Sequence, residues 1–291
     1  MAIQPYHDRD GFIYMDGQLV PWRDAKVHYL THALHYGTCV FEGERAYNGK
    51  IFKSKDHTQR LFRSAEIIRM DMSAFDADTI NAAKEEVLKA NNLTNAYIRV
   101  AAWRGSEQMG IDISKTVTHL AIAAWDWGKY FDPSVAEKGI SLMTSPWVRP
   151  APNMAPIHSK AASNYNMGCI AKSEATDKGF TDVLINDFEG NLAECSGANL
   201  FLVIDGAIHT PTADRFLNGI TRQTVMQLAQ DMGINVIERR IKPEELDNAQ
   251  EVFVTGSAAE VTPIGRIDER HYDVGPITKK LMDAYSALVH G

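Results

Sequence analysis

The sequence has few cysteines and no long apolar run. Its 291 residues include 3 cysteines, which are widely separated at positions 39, 169 and 195. An odd, scattered set is typical of free thiols in a reducing cytoplasm rather than of a disulfide framework. No apolar stretch reaches the ~18 residues of a transmembrane helix. The opening residues, MAIQPYHDRDG, lack the apolar segment of a signal peptide. We therefore expect a cytoplasmic protein without a membrane span.

An excess of positive charge is also missing. The net charge of −7 and the pI of about 5.8 argue against a nucleic acid or an anionic membrane as the main partner. The G-x-S-x-G turn that carries a serine hydrolase nucleophile is absent. What is present, 45% hydrophobic and 23% charged residues, is typical of an ordinary globular chain with one or two domains.

Turn signals and hydrophobic spacing indicate mixed strands and helices. Asp16-Gly17, Asn48-Gly49 and Asp205-Gly206 each separate two short apolar runs and predict hairpins. Strands are also predicted at 96–103 and 119–125. Helices are predicted near 57–70, 79–92, 160–178, 221–232 and 276–289. Asp78 is the predicted N-cap of the second of these helices. Because strands and helices are interspersed and hairpins occur in both halves, we expect an α+β fold.

A polar stretch with glycine and proline interrupts this pattern at 127–139. Such composition is typical of a connection between domains. We therefore predict a small N-terminal domain, 1–126, and a larger domain, 140–291.

Three short motifs follow one another in the C-terminal half. They are ECSGANLF from Glu194, IHT from Ile208 and LNGITR from Leu217. A helix that starts after Gly219 would present unpaired N–H groups and a positive dipole end, which suit a phosphate. An ordinary helix cap at this place is the alternative that local physics leaves open.

In order and spacing, these motifs resemble the signature of the class IV (fold-type IV) pyridoxal-phosphate aminotransferases. Similarity to the branched-chain amino-acid aminotransferases of this class extends over nearly the whole chain. It includes HALHYGTCVFEGERAY (32–47), HTQRLFRSAEII (57–68), NNLTNAYIR (91–99), KAASNYN (160–166) and GSAAEVTPI (256–264). The resemblance implies a smaller N-terminal α/β domain and a larger C-terminal pseudo-barrel domain joined by a short loop. It also implies pyridoxal 5'-phosphate as cofactor and a homodimer or dimer-based oligomer.

The resemblance assigns roles to the cofactor residues. Lys160 is the Schiff-base lysine, since a primary amine is the group that condenses with the cofactor. Glu194 faces the pyridine nitrogen and keeps it protonated, and Tyr165 hydrogen-bonds the phenolic oxygen. The phosphate is expected at Arg60, the backbone of Ile220 and Thr221, and the Ser257 hydroxyl, and the remaining cofactor residues are Asn199 and Gly219. The chain departs from the usual Gly-Gly of the family at Ala162-Ser163.

Tyr97 and Arg99 are two residues apart, so a strand directs both to one face. An arginine that faces inward from an apolar strand needs an anionic partner. By resemblance, this partner is the side-chain carboxylate of glutamate, while Tyr97 and the turn amides at Ser257 and Ala258 take the α-carboxylate. The other residues that the resemblance assigns to substrate are Tyr36, Phe41, Gly43, Ile111, Trp127, Tyr130 and Ala259. Of these, Tyr36 and Ile111 are expected to reach the site of a neighbouring subunit.

His28, His32 and His35 form an H-x3-H-x2-H pattern that superficially suggests zinc. No HExxH arrangement or nearby cysteine supports a metal. We expect these histidines to pack and to form hydrogen bonds.

The sequence therefore predicts transamination between branched-chain L-amino acids and 2-oxoglutarate, giving 2-oxo acids and L-glutamate. D-amino-acid aminotransferases, R-selective amine transaminases and aminodeoxychorismate lyases share Lys160 and Glu194. Tyr97 with Arg99 favours the branched-chain enzymes, although the segment RGSEQMGI (104–111) departs from their VGDVGMGV-like version. A non-catalytic scaffold is disfavoured because Lys160, Glu194, Tyr165 and Arg60 are all intact.

Overall fold

The computed structural model describes residues 4–128 and 134–291. By its internal contacts the chain divides into two units: residues 1–128 with 159–163, and residues 129–158 with 164–291. The short segment 159–163 therefore belongs with the N-terminal unit. The domain division predicted from the sequence places this segment in the C-terminal domain. The sequence-based boundaries themselves stay a prediction. Part of the predicted connection, 129–133, lies outside the described residues.

The N-terminal unit is built on an antiparallel sheet. In the order β2-β1-β6-β5-β3-β4 its strands are Gln18–Pro21, Phe12–Met15, Thr118–Trp125, Ala96–Arg104, Cys39–Tyr47 and Lys50–Ile51. The predicted hairpins at Asp16-Gly17 and Asn48-Gly49 are confirmed. The alternation of buried and partly buried residues along β6 gives the sheet one face that packs against helices.

The α-helices described within residues 4–128 are α1 (His32–Tyr36), α2 (Ser54–Ile67) and α3 (Ala77–Ala90). Leu61 of α2 and Val87 of α3 are fully buried in one apolar cluster with Ile98 of β5. The predicted cap at Asp78 is wrong. Asp76 has the extended backbone of an N-cap and its carboxylate accepts the N–H of Thr79 at 2.9 Å.

A buried ion pair joins α3 to the sheet. Lys84 of α3 and Glu44 of β3 are both fully buried, with Lys84 Nζ 2.7 Å from Glu44 Oε1. The ammonium also donates to the Thr58 hydroxyl at 2.7 Å and to the Ser54 carbonyl at 3.2 Å. Burial raises the pKa of Glu44 to about 7, and the charge of Lys84 opposes this effect. Lys84 is therefore the group that makes a carboxylate tolerable at this place.

The C-terminal unit contains a closed sheet. Its nine strands are β7 (Ile140–Thr144), β8 (Asp182–Asn186), β9 (Leu192–Cys195), β10 (Asn199–Ile204), β11 (Ala207–Pro211), β12 (Val236–Arg239), β13 (Glu251–Gly256), β14 (Glu260–Ile267) and β15 (Arg270–His271). Strands β10, β13, β14, β7 and β8 follow one another, and β9 pairs with both β8 and β10. The ring closes at Asn199, which lies opposite Glu194. The α+β class and the C-terminal barrel are thereby confirmed.

The α-helices that the structure describes in residues 134–291 are α4 (Val135–Lys138), α5 (Asn166–Asp177), α6 (Ile220–Asp231) and α7 (Pro276–His290). The helix predicted from residue 160 begins only at Asn166, after a 3-10 turn at Ala162–Tyr165. The reason is that the backbone at Lys160 and Ala161 is paired with β3 and so cannot form helical hydrogen bonds. No helix of residues 4–128 and 134–291 is long and apolar enough to cross a membrane.

Removing the cation of the buried pair tests its contribution to stability. Lys84→Met should lower the free energy of unfolding by ~3–5 kcal/mol, because it leaves the carboxylate of Glu44 without a partner. The double variant Lys84→Met/Glu44→Leu should recover most of this loss in urea denaturation. Lys89→Met, at an exposed position of the same helix, is the matched control and should change stability by less than ~0.5 kcal/mol. An equal loss in the single and double variants would instead indicate a packing defect.

Candidate active site

Lys160 is held in place by its backbone. Its N–H donates to the Ser64 hydroxyl at 3.0 Å, and its carbonyl accepts the N–H of Phe41 at 3.1 Å. The preceding residue, Ser159, donates through its hydroxyl to the Ser64 carbonyl at 2.8 Å. The ammonium nitrogen lies 4.9 Å from the centre of the Phe41 ring. These contacts fix the half-buried lysine beside β3 and α2.

Arg60 shares a buried carboxylate with His57. Its Nε and one terminal nitrogen each lie 2.7 Å from an oxygen of Glu42, and His57 Nδ1 lies 2.7 Å from the same carboxylate. Burial opposes ionisation of Glu42, but the charge and hydrogen bonds of Arg60 outweigh it and hold the pKa of Glu42 well below its usual range. Burial also lowers the pKa of His57, and Glu42 opposes this effect. Glu42 thus orients the guanidinium of Arg60, whose predicted phosphate contact stays a prediction.

Tyr97 and Arg99 lie on one face of β5, as predicted. A terminal nitrogen of Arg99 donates to the Tyr97 hydroxyl at 3.3 Å, and the guanidinium lies 4.6 Å from the centre of the Phe41 ring. The buried Nε of Arg99 has no hydrogen-bond partner in the described part of the chain. Gly43 lies opposite Arg99, and a Cβ there would be 2.0 Å from the Tyr97 oxygen. Glycine is therefore needed to seat the phenol.

Aromatic rings surround Tyr97. Its ring centre lies 4.5 Å from that of Trp127 and 5.2 Å from that of Trp125. Tyr6 adds an edge contact to Trp125 at 5.4 Å. Trp127 was expected at this site, whereas Trp125 and Tyr6 were missed. The pairing of Tyr97 with Trp125 across β5 and β6 follows from strand register, which the sequence alone does not supply.

Two predicted substrate residues are exposed to solvent. Tyr36 is exposed, and Ile111 is 82% exposed. Their predicted contact with a neighbouring subunit stays a prediction. Tyr130 lies outside the described residues.

The three histidines near α1 form separate hydrogen bonds. His32 lies between Thr38 and the Gly110 carbonyl, His35 contacts the Tyr29 carbonyl, and His28 accepts a backbone N–H. Among residues 4–128 and 134–291, no cluster of three His, Cys, Asp or Glu side chains has the arrangement of a metal site.

Glu194 lies buried at the closure of the barrel. Its carboxylate has Arg149 Nε at 2.8 Å and the Asn199 amide nitrogen at 3.4 Å. Arg149 also donates to the Asn164 carbonyl at 3.1 Å. The arginine keeps a negative charge on Glu194 tolerable away from water. Arg149 could not be recognised from the sequence, because its segment VRPAP has no periodicity that would mark the residue as buried.

Asn199 connects this acid to the start of α6. Its amide nitrogen donates to the Leu217 carbonyl at 3.0 Å, and its oxygen accepts the Gly219 N–H at 3.1 Å. A Cβ on Gly219 would lie 2.3 Å from that oxygen. Helix α6 starts at Ile220 with no side-chain cap and no acidic residue in its first turn. Its N–H groups and positive dipole end therefore suit a phosphate. The contacts of Gly219, Ile220 and Thr221 with the cofactor phosphate stay predictions.

The remaining predicted residues lie in two turns of the same unit. Tyr165 is half-buried at the end of the 3-10 turn, next to the start of α5. Ser257, Ala258 and Ala259 form the partly buried turn between β13 and β14. Their assigned contacts with cofactor and substrate stay predictions.

Comparison with known proteins identifies the family of the chain. The family described as Amino-transferase class IV matches residues 39–267. The chain belongs to this family. It is 44% identical over 291 residues to the branched-chain-amino-acid aminotransferase of Pseudomonas aeruginosa, covering 98% of this chain and 94% of that protein.

Solved structures of class IV aminotransferases share the fold. The branched-chain amino acid aminotransferase of Escherichia coli is 39% identical, with a TM-score of 0.93 over 97% of this chain and 95% of that one. A second branched-chain amino acid aminotransferase, from the organism abbreviated T.th., was solved in complex with N-(5'-phosphopyridoxyl)-L-glutamate. It is 39% identical, with a TM-score of 0.92 and the same coverage of both chains. Both the fold and the family expected from the sequence are therefore confirmed.

The charge on Glu42 should make stability depend on pH. The pKa of Glu42 is lower in the folded protein than in the unfolded chain, where it is near 4.5. The contribution of Glu42 to the free energy of unfolding is therefore complete above pH 4.5 and is lost as the pH falls toward the folded pKa. Glu42→Gln should cost ~3–5 kcal/mol of unfolding free energy near pH 7, because it leaves Arg60 and His57 without their anion. In denaturant titrations the difference in the free energy of unfolding between wild type and variant should become smaller below about pH 4.5. Glu86→Gln, on an exposed part of α3, is the control; a gap that does not change with pH would contradict the ionised state of Glu42.

Proposed function

We propose that this class IV aminotransferase transfers amino groups between branched-chain L-amino acids and 2-oxoglutarate. The products are branched-chain 2-oxo acids and L-glutamate. The names of its relatives support this, since proteins called branched-chain amino-acid aminotransferases match it over nearly the whole chain. The complex of one relative with a phosphopyridoxyl derivative of L-glutamate supports glutamate as the second substrate.

Pyridoxal 5'-phosphate is the cofactor, and the residues present fit it. Within the C-terminal unit, the uncapped start of α6 and the Ser257 hydroxyl are suited to its phosphate, and the buried carboxylate of Glu194 is suited to its ring nitrogen. Within the N-terminal unit, Arg60 is the residue that the resemblance assigns to the phosphate. Tyr165 is assigned to the phenolic oxygen. When bound, the cofactor supplies a ring that accepts the electron pair released at the substrate Cα.

Lys160 supplies the amine that binds the cofactor covalently and moves the substrate proton. Its Nζ is suited to take the proton from the Cα atom, because a neutral lysine amine is a strong enough base for this step. Its backbone contacts with Ser64 and Phe41 limit where the amine can reach. Glu194, kept charged by Arg149, favours the protonated form of the ring nitrogen throughout.

The unpartnered Nε of Arg99 is the observation that carries the substrate assignment. The guanidinium of this half-buried residue lies 4.6 Å from the ring centre of Phe41 and 5.6 Å from that of Tyr97, and such aromatic faces are suited to an apolar side chain. A buried donor without an acceptor costs free energy, which an incoming carboxylate recovers. The same pocket is therefore suited to leucine through its aromatic walls and to glutamate through Arg99.

A homodimer in the cytoplasm is the proposed state of the protein. Apolar side chains are strongly exposed near α1 and beyond β5, including Tyr29 at 74%, Leu34 at 63% and Ile111 at 82%. An apolar surface of this kind is typical of an interface between copies. Light scattering should give twice the 32.4 kDa chain mass. The three cysteines are free thiols, which suits a reducing compartment.

Lys160 should be the residue that carries the cofactor. Borohydride reduction of the cofactor-bound protein followed by peptide mapping should place the label on Lys160. Lys160→Ala should abolish turnover with L-leucine, since no other amine is expected at the reacting carbon. Lys89→Ala, at an exposed site of α3, is the matched control and should retain wild-type turnover. A label on a different lysine would contradict the assignment.

Arg99→Met should separate the two half-reactions. Loss of a charged pair of ~2–4 kcal/mol corresponds to a ~30- to 1000-fold drop in kcat/KM for L-glutamate. The value for L-leucine should change by less than ~3-fold, since its side chain forms no charged contact. Stopped-flow spectra of the bound cofactor follow each half-reaction separately. Arg63→Met, an exposed arginine on α2, is the control. Equal losses for both substrates would make Arg99 a structural residue or an α-carboxylate ligand.

A further inference from the structure

The loop of residues 105–117 joins β5 to β6 and carries Ile111. The residue is strongly exposed, and resemblance assigns it to a substrate pocket. The loop has no regular secondary structure, so its shape depends on side-chain contacts at its ends and middle. At its base, the N–H of Gly105 donates to the Val117 carbonyl at 2.9 Å.

The middle of the loop is held by His32. This buried side chain has Nε2 2.8 Å from the Gly110 carbonyl and Nδ1 2.8 Å from the Thr38 hydroxyl. A carbonyl only accepts, so Nε2 carries the proton, and the hydroxyl can donate to Nδ1. A neutral imidazole therefore satisfies both contacts. This anchor does not require a charge.

The end of the loop is held by a different kind of histidine contact. His119 Nδ1 lies 2.6 Å from Asp16 Oδ2, and its Nε2 lies 3.1 Å from Glu107 Oε1. Both partners are carboxylates, which accept but do not donate when ionised. Only an imidazolium, with a proton on each nitrogen, can satisfy both. This second anchor therefore requires a charge.

The two carboxylates are themselves fixed by backbone groups. Asp16 accepts the Leu120 N–H at 2.8 Å, and Glu107 accepts the Val117 N–H at 3.1 Å. Glu107 thus ties the start of the loop to its end. At Gly105 a Cβ would lie 2.4 Å from His119 Nε2, so the backbone passes directly beside the ring.

The other groups around His119 are uncharged or directed elsewhere. The Trp103 ring stacks on it at 5.6 Å. Arg104, the next residue of β5, donates to the carbonyls of Ile68 and Arg69 instead. Burial alone lowers the pKa of His119, but the hydrogen bonds and charges of Asp16 and Glu107 outweigh it and raise that pKa above its ordinary value.

We propose that His119 is a positioning residue that, as an imidazolium between Asp16 and Glu107, fixes the 105–117 loop and with it Ile111. The proposal rests on the proposed function for its effect on substrate, but not for the anchoring itself. The anchor is complete at pH values below the unfolded pKa of histidine and is lost as pH rises through the raised folded pKa. Loss of the second proton leaves one ring nitrogen facing a carboxylate with no hydrogen between them.

Trypsin cleavage after Lys115, an exposed loop residue, measures the anchoring without any activity assay. The cofactor-bound protein is digested between about pH 6 and pH 9, and each rate is divided by that of a short lysine peptide. For the wild type this ratio should rise ~3- to 10-fold with pH as the loop opens more often. His119→Gln should show the high ratio at every pH, and Glu107→Gln should raise it at low pH.

Asp112→Asn is the matched control, because it removes one charge from the same loop. Asp112 contacts Ser114 and not His119. Its ratio should follow the wild-type profile. A wild-type ratio that does not vary with pH, or a His119→Gln profile equal to that of the wild type, would overturn the proposal. If His119→Gln fails to fold, Glu107→Gln decides the same point.

Kinetics with L-leucine test the effect on substrate. His119→Gln should raise KM ~3- to 10-fold and leave kcat within ~2-fold, since the loop positions the side chain and not the reacting atoms. An altered cleavage profile with an unchanged KM would overturn the link to Ile111. If the wild type does not transaminate leucine at all, the proposed function fails, and the cleavage profiles still decide whether His119 holds the loop.

Discussion

Two carboxylates are buried on one face of β3, and neither is tolerable there without a cation. Glu42 is paired with Arg60 and His57, and Glu44 with Lys84. These partners come from α2 and α3, so the ion pairs connect both helices to the sheet in addition to the apolar cluster between them. The opposite face of the same strand carries Phe41 and Gly43, which contact Lys160, Arg99 and Tyr97. Because side chains alternate along a strand, the buried carboxylates lie on one face of β3 and the residues assigned to substrate lie on the other.

The C-terminal unit also contains a buried carboxylate, that of Glu194, which is paired with a cation. The barrel closes where Asn199 pairs with Glu194, so the acid assigned to the cofactor ring lies at the seam of the sheet. The side-chain oxygen of Asn199 accepts a hydrogen bond from the N–H of Gly219, directly before the start of α6. One amide side chain therefore links strand closure to the helix end that suits a phosphate. Arg149 completes this arrangement by supplying the positive charge that Glu194 needs away from water.

Histidines in the N-terminal unit show how hydrogen-bond partners decide protonation. His32 faces a carbonyl and a hydroxyl and is satisfied as a neutral ring. His119 faces two carboxylates and is satisfied only as a cation. Both hold the same loop, whose sequence departs from the better-known version of the family. The segment 104–111, where the sequence departs, contains Glu107 and Gly110, which contact the two histidines.

The sequence by itself determined the hairpins, the main helices and the residue types that the chemistry needs. Short turn signals such as Asp16-Gly17 are local, and the motif from Glu194 to Arg222 has an order that identified the family. Two predictions of helix starts were wrong. Asp76 and not Asp78 caps α3, and α5 begins at Asn166 and not at Lys160. Arg149, Trp125 and Tyr6 could not be found in this way. Their roles depend on which strands pair and on which charges become buried, and only the tertiary structure decides those distances.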